Sequence, residues 1–170
     1  MAVGQYALIS LAELKAYLGI TVTTSDTLLE NLIDLTSSLF EEFTNRKLKA
    51  REYSYDSASL SYDPDNAILD GNDHDQIILP QYPIVSITKL RINEVEVSAR
   101  AGLYSFGFTY ERKTGILRLS GYVFTQGMQN IELVYNAGYS TIPDALKQAC
   151  IEQASWAYKQ SAPGGNLLGV

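Results

Sequence analysis

Residues 130–161 read NIELVYNAGYSTIPDALKQACIEQASWAYKQS, and this stretch decides the fold. Ile131–Tyr135 reads as a strand, Asn136–Tyr139 as a tight turn with Gly138 in it, and Ile142-Pro143-Asp144 as the opening of a helix. Proline is favoured in the first helical turn, and an acid there suits the positive end of the helix dipole. Leu146, Ala149, Cys150, Ala154 and Ala157 then fall on one face, rich in small residues, against which a second helix can pack closely. The helix is expected to end near Ser161, before Pro163-Gly164-Gly165.

Its partners are expected at the other end of the chain. Ser10 and Glu13 have the spacing of a capping box, and Gly19 supplies a left-handed stop, which predicts a helix over about Leu11–Leu18. A second helix follows over about Asp26–Asn45, with Ser25, Asp26 or Thr27 as its cap and Thr27 with Glu30 as a possible second capping box. Leu28, Leu32, Leu35, Leu39 and Phe43 make one apolar stripe along it, widened by Leu29, Ile33 and Phe40. Glu41 and Glu42 sit where the dipole disfavours them, offset by Arg46 and Lys47.

Between these helices the period shortens. Arg51–Asp56, Ile77–Leu79, Ile84–Ile92, Ile116–Leu119 and Ile131–Tyr135 read as strands, with Asn93-Glu94 as a two-residue turn. Ser57–Asp75 is polar and turn-rich, Tyr104–Tyr110 is aromatic and broken by Gly107, and Gly121–Gly127 reads as a loop carrying Tyr122 and Phe124. The fold class is therefore α+β: a small α-helical bundle of two N-terminal helices and one C-terminal helix, with an antiparallel β insertion. We read 1–170 as a single domain, with a helical core at about 8–48 and 141–161, the β insertion at about 49–139 and a flexible tail at 162–170.

Bulk properties narrow the function. With 46% hydrophobic and 19% charged residues the chain is that of a folded globule. A net charge of -6 argues against a surface built to neutralise phosphates. Met1–Leu18 lacks the basic start and apolar run of a signal peptide, and no run approaches a membrane span, so a soluble chain made in the cytoplasm is expected. Twelve Tyr against five Phe suit half-buried surfaces and interfaces, though strands also favour Tyr.

No catalytic constellation emerges, and no cofactor or metal is expected. His74, the only imidazole, lies among Asp70, Asp73 and Asp75, oxygen-rich but without the spacing of a calcium loop. Cys150 lacks a neighbouring base and reads as a small buried hydrophobe. Glu41 and Glu42, adjacent on a helix, do not face each other. Trp156 reads as core or subunit contact. The tail residues Pro163, Gly164, Gly165, Asn166, Leu167, Leu168 and Val170 combine a hinge with apolar side chains, either a frayed end or an arm that orders on a partner.

The ordered set ISLAELKAYLGIT (9–21), DTLLENLIDLTSSLFEEFTNRKL (26–48), LPQYPIVSITKL (79–90), GILRL (115–119) and IELVYNAGYSTIPDALKQACIEQASWAYKQ (131–160) resembles the head–tail connector, or head-completion adaptor, proteins of tailed bacteriophages. The Gly-Tyr-x-x-Ile-Pro-x-x-Leu-x-x-Ala pattern at Gly138–Ala149 is its most specific part. The resemblance implies a virion protein that is not an enzyme. It implies a ring, commonly of twelve copies, beneath the capsid portal, which extends the DNA channel without holding DNA specifically. The ring would dock a stopper or tail-completion protein, with no membrane involved. It also implies a terminal segment that grips the portal, a position filled here by Pro163–Val170. Ser57–Asp75 and Tyr104–Gly127 look longer than the family minimum and are expected as outward-facing additions. Two other readings stand beside it: a carbohydrate-binding or hydrolytic module that uses the Tyr-rich β region with paired acids, and a neighbouring stopper or tail-end ring protein.

Overall fold

The structure, a computed structural model, describes residues 3–161. In chain order its elements are α1 (Leu11–Leu18), α2 (Asp26–Thr44), β1 (Arg51–Ser54), α3 (Pro64–Ala67), β2 (Ile68–Gly71), β3 (Gln76–Ile78), β4 (Ile84–Ile92), β5 (Val95–Glu96), β6 (Gly107–Tyr110), β7 (Ile116–Ser120), β8 (Gly127–Ala137) and α4 (Asp144–Ser161). The chain is of the α+β class and divides into two compact units, a helical one built from residues up to Lys49 and from Thr141 onward, and a β unit over Ala50–Ser140.

In the helical unit α1 begins on the capping box. The Ser10 hydroxyl accepts from the Glu13 backbone N–H, and the Glu13 carboxylate accepts from the Ser10 N–H at 2.7 Å. Gly19, at φ 69°, closes the helix in the left-handed conformation. The same Glu13 carboxylate meets Lys147 of α4 at 3.0 Å, so one side chain both starts α1 and ties it to the C-terminal helix. Lys15, near the end of α1, reaches Asp26 at the start of α2 at 2.6 Å.

Helices α2 and α4 run antiparallel, since Tyr158 near the end of α4 donates to Ser25 before α2, while Cys150 lies by Ser37 at mid-helix. The small buried side chains of α4 leave room for larger ones of α2. α4 contributes Cys150, Ala154 and Ser155, and α2 contributes Leu29, Ile33, Thr36 and Ser37. Ser37 is buried without cost because its hydroxyl donates to the Ile33 carbonyl and accepts from the Leu8 N–H. Two details of α2 depart from the sequence reading. Ser25 is the N-cap but makes no side-chain capping bond, and the Thr27–Glu30 box does not form because the helix has already begun at Asp26. At the other end Glu41 is compensated as expected, by Lys47 at 3.5 Å and by the Leu48 N–H at 3.1 Å.

The β unit is organised on β8, longer than the sequence suggested. One edge of β8 pairs antiparallel with β4, while β1 and β2 pair with successive parts of it, and β5 extends the sheet beyond β4. Ile131, Leu133, Tyr135 and Ala137 all point to the core and are fully buried, as a period of two requires. β3, β7 and β6 form a second, three-stranded antiparallel sheet. Residues of both sheets share one core, including Tyr53, Ile84, Leu90, Leu117 and Phe124. Tyr53 and Tyr135 stack with centroids 5.1 Å apart, and the Tyr135 hydroxyl donates to the Asn66 carbonyl at 3.0 Å. Burial pushes the Tyr135 phenol far above its ordinary value, so it stays a donor.

Ser57–Asp75 is not simply an outward addition. Asp63 caps the single turn α3 with Pro64 at its start, and β2 follows as a strand on β8, with Ala67 fully buried between them. The turn chemistry was readable from Asp63-Pro64, but Ile68–Gly71 is too short to announce a strand by period. Likewise Tyr104–Gly127 contains β6, β7 and the buried Phe124. The Asn93-Glu94 turn closes β4 onto β5 with both residues at positive φ, 50° and 66°, as a two-residue hairpin demands.

Candidate interaction surfaces

The residues considered for chemistry in the sequence do not converge. Cys150 is buried, and burial pushes its thiol up to about 11, so it holds its proton and is no nucleophile at neutral pH. Glu41 is committed to the Leu48 N–H, while Glu42 is exposed. His74 borders an open cleft of about 500 Å³ shared with Leu69, Asp70, Asn72, Gln76 and Ile116, in which Asp70 is the one carboxylate. Among the described residues no group of three or more His, Cys, Asp or Glu side chains could hold a metal ion. A second cleft, between β6 and β7, also holds a single carboxylate, Glu111. Neither of these clefts offers the carboxylate pair that glycoside chemistry needs. A third, between residues 4–7 and α2, has Asp34 and Glu41, but Asp34 already accepts from the Gly4 N–H and Glu41 from the Leu48 N–H and Lys47. No helix among the described residues is long and apolar enough to cross a membrane.

Among the described residues exposed apolar side chains gather in two runs, on α2 and at a loop tip, while Leu60, Tyr62, Ile78, Val95, Met128 and Trp156 are exposed elsewhere. The first is α2. Its sequence stripe of Leu28, Leu35, Leu39 and Phe43 is exposed, Leu35 to 66% and Phe43 to 88%, and Leu32 is half-buried among them. The side chains that fill the core are Leu29 and Ile33, the ones that only widened the stripe. At 100° per residue the outward five fall within about 80° of arc and run for roughly 22 Å along the helix. Asp26, Glu30, Asp34, Glu41 and Glu42 are the only charges in this helix, which holds no Lys or Arg.

The second is a loop tip of the β unit. Leu103 is 74% exposed and Tyr104 95% exposed, with Phe106 and Tyr122 also outward. The tip is shaped by its own chain. Phe106 meets Tyr122 edge to face at 6.2 Å. It lies so close over Gly121, at φ 77°, that a Cβ there would sit 1.9 Å from the ring. Ser105 ties back to Gly102 through its hydroxyl. Trp156 is exposed as well, so of its two readings core is excluded. The tail residues Pro163, Gly164, Gly165, Asn166, Leu167, Leu168 and Val170 lie outside the described residues.

Monomeric proteins rarely show extended apolar patches, so surfaces such as these mark contacts with other chains. The chain is a structural assembly component. The head completion protein family model matches residues 7–163, and the chain belongs to that family. It is thus a structural virion component of the head–tail connector kind and not an enzyme. No curated protein matches the chain. Among solved structures it is similar to a chain in the neck of a native gene transfer agent particle computed with C12 symmetry, at 20% identity and TM-score 0.62, over 95% of this chain and 82% of that one. It is also similar to a chain in the neck of an empty particle computed with C6 symmetry, at 19% identity and TM-score 0.62, over 91% and 80%. A third is from the virion of the native particle, at 19% identity and TM-score 0.60, over 96% and 84%. At such identities the likeness establishes a shared fold.

Proposed function

We propose that this head–tail adaptor works as a ring of twelve copies beneath the capsid portal, where it extends the DNA channel and offers a docking surface to the next connector or tail component. The observation that carries the reading is the family match across residues 7–163, in a chain that shares its fold with a component of a neck solved with C12 symmetry. The net charge of -6 suits a channel that repels phosphate and lets DNA slide. On this reading Pro163–Val170 is the arm that grips the portal, with Leu167, Leu168 and Val170 as its apolar anchors. Residues 1–170 act as a single domain, whose β insertion is free to meet neighbouring copies.

The test is electron microscopy of the full chain mixed with its portal. A twelve-fold ring seated on the portal is expected, and a chain that stays monomeric beside the portal overturns the reading. Truncation after Ser161 should weaken portal attachment and leave the adaptor fold unchanged by circular dichroism. Undiminished attachment would remove the tail from the interface.

A further inference from the structure

We propose that Asn130 is a latch: with Asp70 it fastens three connections at one end of the β8 sheet into a single rigid rim, and that rim presets the aromatic tip around Phe106 and Tyr122. The rim is a property of the single chain and stands whether or not copies form a ring.

The rim begins with an irregular strand. Between the pairs Leu69–Ile131 and Gly71–Gly127, β2 advances two residues and β8 four, so Met128–Asn130 bulge out opposite Asp70. A bulge bends its strand and re-aims the side chains it carries. Inside this one Gln129 sits at φ 52°, a left-handed conformation that residues with a Cβ rarely adopt. The Asp70 carboxylate accepts from the Gln129 N–H at 2.6 Å and holds it there.

Asn130 then uses both ends of its side-chain amide. Its Oδ1 accepts from the Gly71 N–H at 2.9 Å. Its Nδ2 donates to the Thr125 carbonyl at 2.8 Å and to Asn93 Oδ1 at 3.1 Å. Its backbone carbonyl accepts from the Asn93 N–H at 2.9 Å. One residue therefore joins the end of β2, the β4–β5 turn and the loop 121–127. The space around it leaves no slack. A Cβ on Gly71 would lie 1.8 Å from the Thr125 carbonyl oxygen, and one on Gly127 would lie 2.6 Å from Asn130 Nδ2. A carboxylate of the same shape could accept at Gly71 but could donate to neither Thr125 nor Asn93.

The loop so held carries one side of the tip. Phe124, fully buried, donates through its N–H to the His74 carbonyl, and its own carbonyl accepts from the Asp73 N–H, both at 2.8 Å. With Thr125 tied to Asn130, two consecutive residues of the loop are fixed. Tyr122 stands two residues before Phe124 and meets Phe106 edge to face at 6.2 Å, while Phe106 lies close over Gly121. The two rings therefore keep one arrangement in the free chain. Rings fixed in advance lose little side-chain freedom when another surface meets them.

Amide hydrogen exchange and proton NMR on the full chain test the latch. Asn130→Asp keeps the size of the side chain and its bond to Gly71 but cannot donate to Thr125 or Asn93. Amide exchange across 121–127 should rise about tenfold or more, while the amides of Ile131–Tyr135 stay protected as in wild type. The through-space signal between the Phe106 and Tyr122 rings should vanish, with the far-UV circular dichroism unchanged. Asp70→Ala removes the acceptor for the Gln129 N–H and should give the same signature, whereas Asp70→Asn keeps an acceptor and should behave as wild type. This second pair tests the latch if Asn130→Asp does not fold. Loop exchange at the wild-type rate in Asn130→Asp and Asp70→Ala overturns the latch. A faster loop with the Phe106–Tyr122 signal intact overturns the link from rim to tip, and leaves the Ser105–Gly102 bonds to shape the tip. Protection lost along the whole of β8 overturns the rim as a separate device and makes Asn130 part of the general fold.

Discussion

In the sheets of the β unit large apolar side chains turn inward: Tyr53, Leu133 and Tyr135 are fully buried, with Phe124 beside them. In the helical unit α2 does the reverse, with Leu28, Leu35, Leu39 and Phe43 turned outward and Leu29, Ile33, Thr36 and Ser37 turned in. The difference follows from the partner each element has. β8 lies within a sheet and shares a core with a second one, and its period of two leaves only one set of side chains that can reach that core. α2 has a choice of faces around its circumference. It packs on α4, whose small Cys150, Ala154 and Ser155 leave room for Leu29 and Ile33. The shape of the neighbour, rather than the count of apolar atoms, selects the face, and the bulkier stripe is left for a contact outside the chain.

The comparison can be broken most directly in the β unit. Leu133→Ala should cost about 2–5 kcal/mol in chemical denaturation, because a fully buried leucine leaves a cavity. A loss below 1 kcal/mol would mean that the β8 core is looser than its burial implies. Next comes the close α2–α4 contact. Ala154→Leu adds bulk where the helices touch and should cost about 1–3 kcal/mol, seen as a lower thermal midpoint; a variant that is more stable would show a gap where tight packing is claimed.

A smaller effect concerns pH. The Glu13 carboxylate is held well below its ordinary 4.5, at about 2, first by the Ser10 backbone N–H, then by Lys147 and the Ser10 hydroxyl. A depressed carboxylate stabilises the fold fully above its unfolded value and loses that contribution as pH falls through its folded one. Glu13→Gln should therefore melt below wild type at pH 6, and the gap should close between about pH 4.5 and pH 2. A gap that is unchanged at pH 2.5 would separate Glu13 from the stability of α1. The smallest effect is the most telling for the contrast. Leu35→Ser, on the outward stripe, should leave the stability of the single chain within about 0.5 kcal/mol of wild type. A core-sized loss would mean that the stripe is already covered within one copy.

Much of the fold was legible in the residues because local chemistry was enough. Ser10 with Glu13 and Gly19 marks both ends of α1, Pro143-Asp144 opens α4, and Ile84–Ile92 and the Asn93-Glu94 hairpin stand where alternation and turn chemistry put them. Signals failed where an element is too short to have a period, as at Ile68–Gly71, or where a helix began one residue ahead of the box meant to cap it, as at Thr27. The interaction surface was half visible. The Leu28–Phe43 stripe and the aromatic run at Tyr104 were both plain in the sequence, but their exposure was not.

By itself, then, the sequence settled the three long helices and the longer strands, and through its ordered motifs the family, since capping, turns and periodicity are written within a few neighbouring residues. Tertiary structure alone decided that β8 is the strand on which β1, β2 and β4 all pair, and that α2 buries its smaller face. The second of those outcomes depends on residues more than a hundred positions away, such as Cys150 against Ser37. No local pattern encodes which of two apolar faces a distant helix will fit.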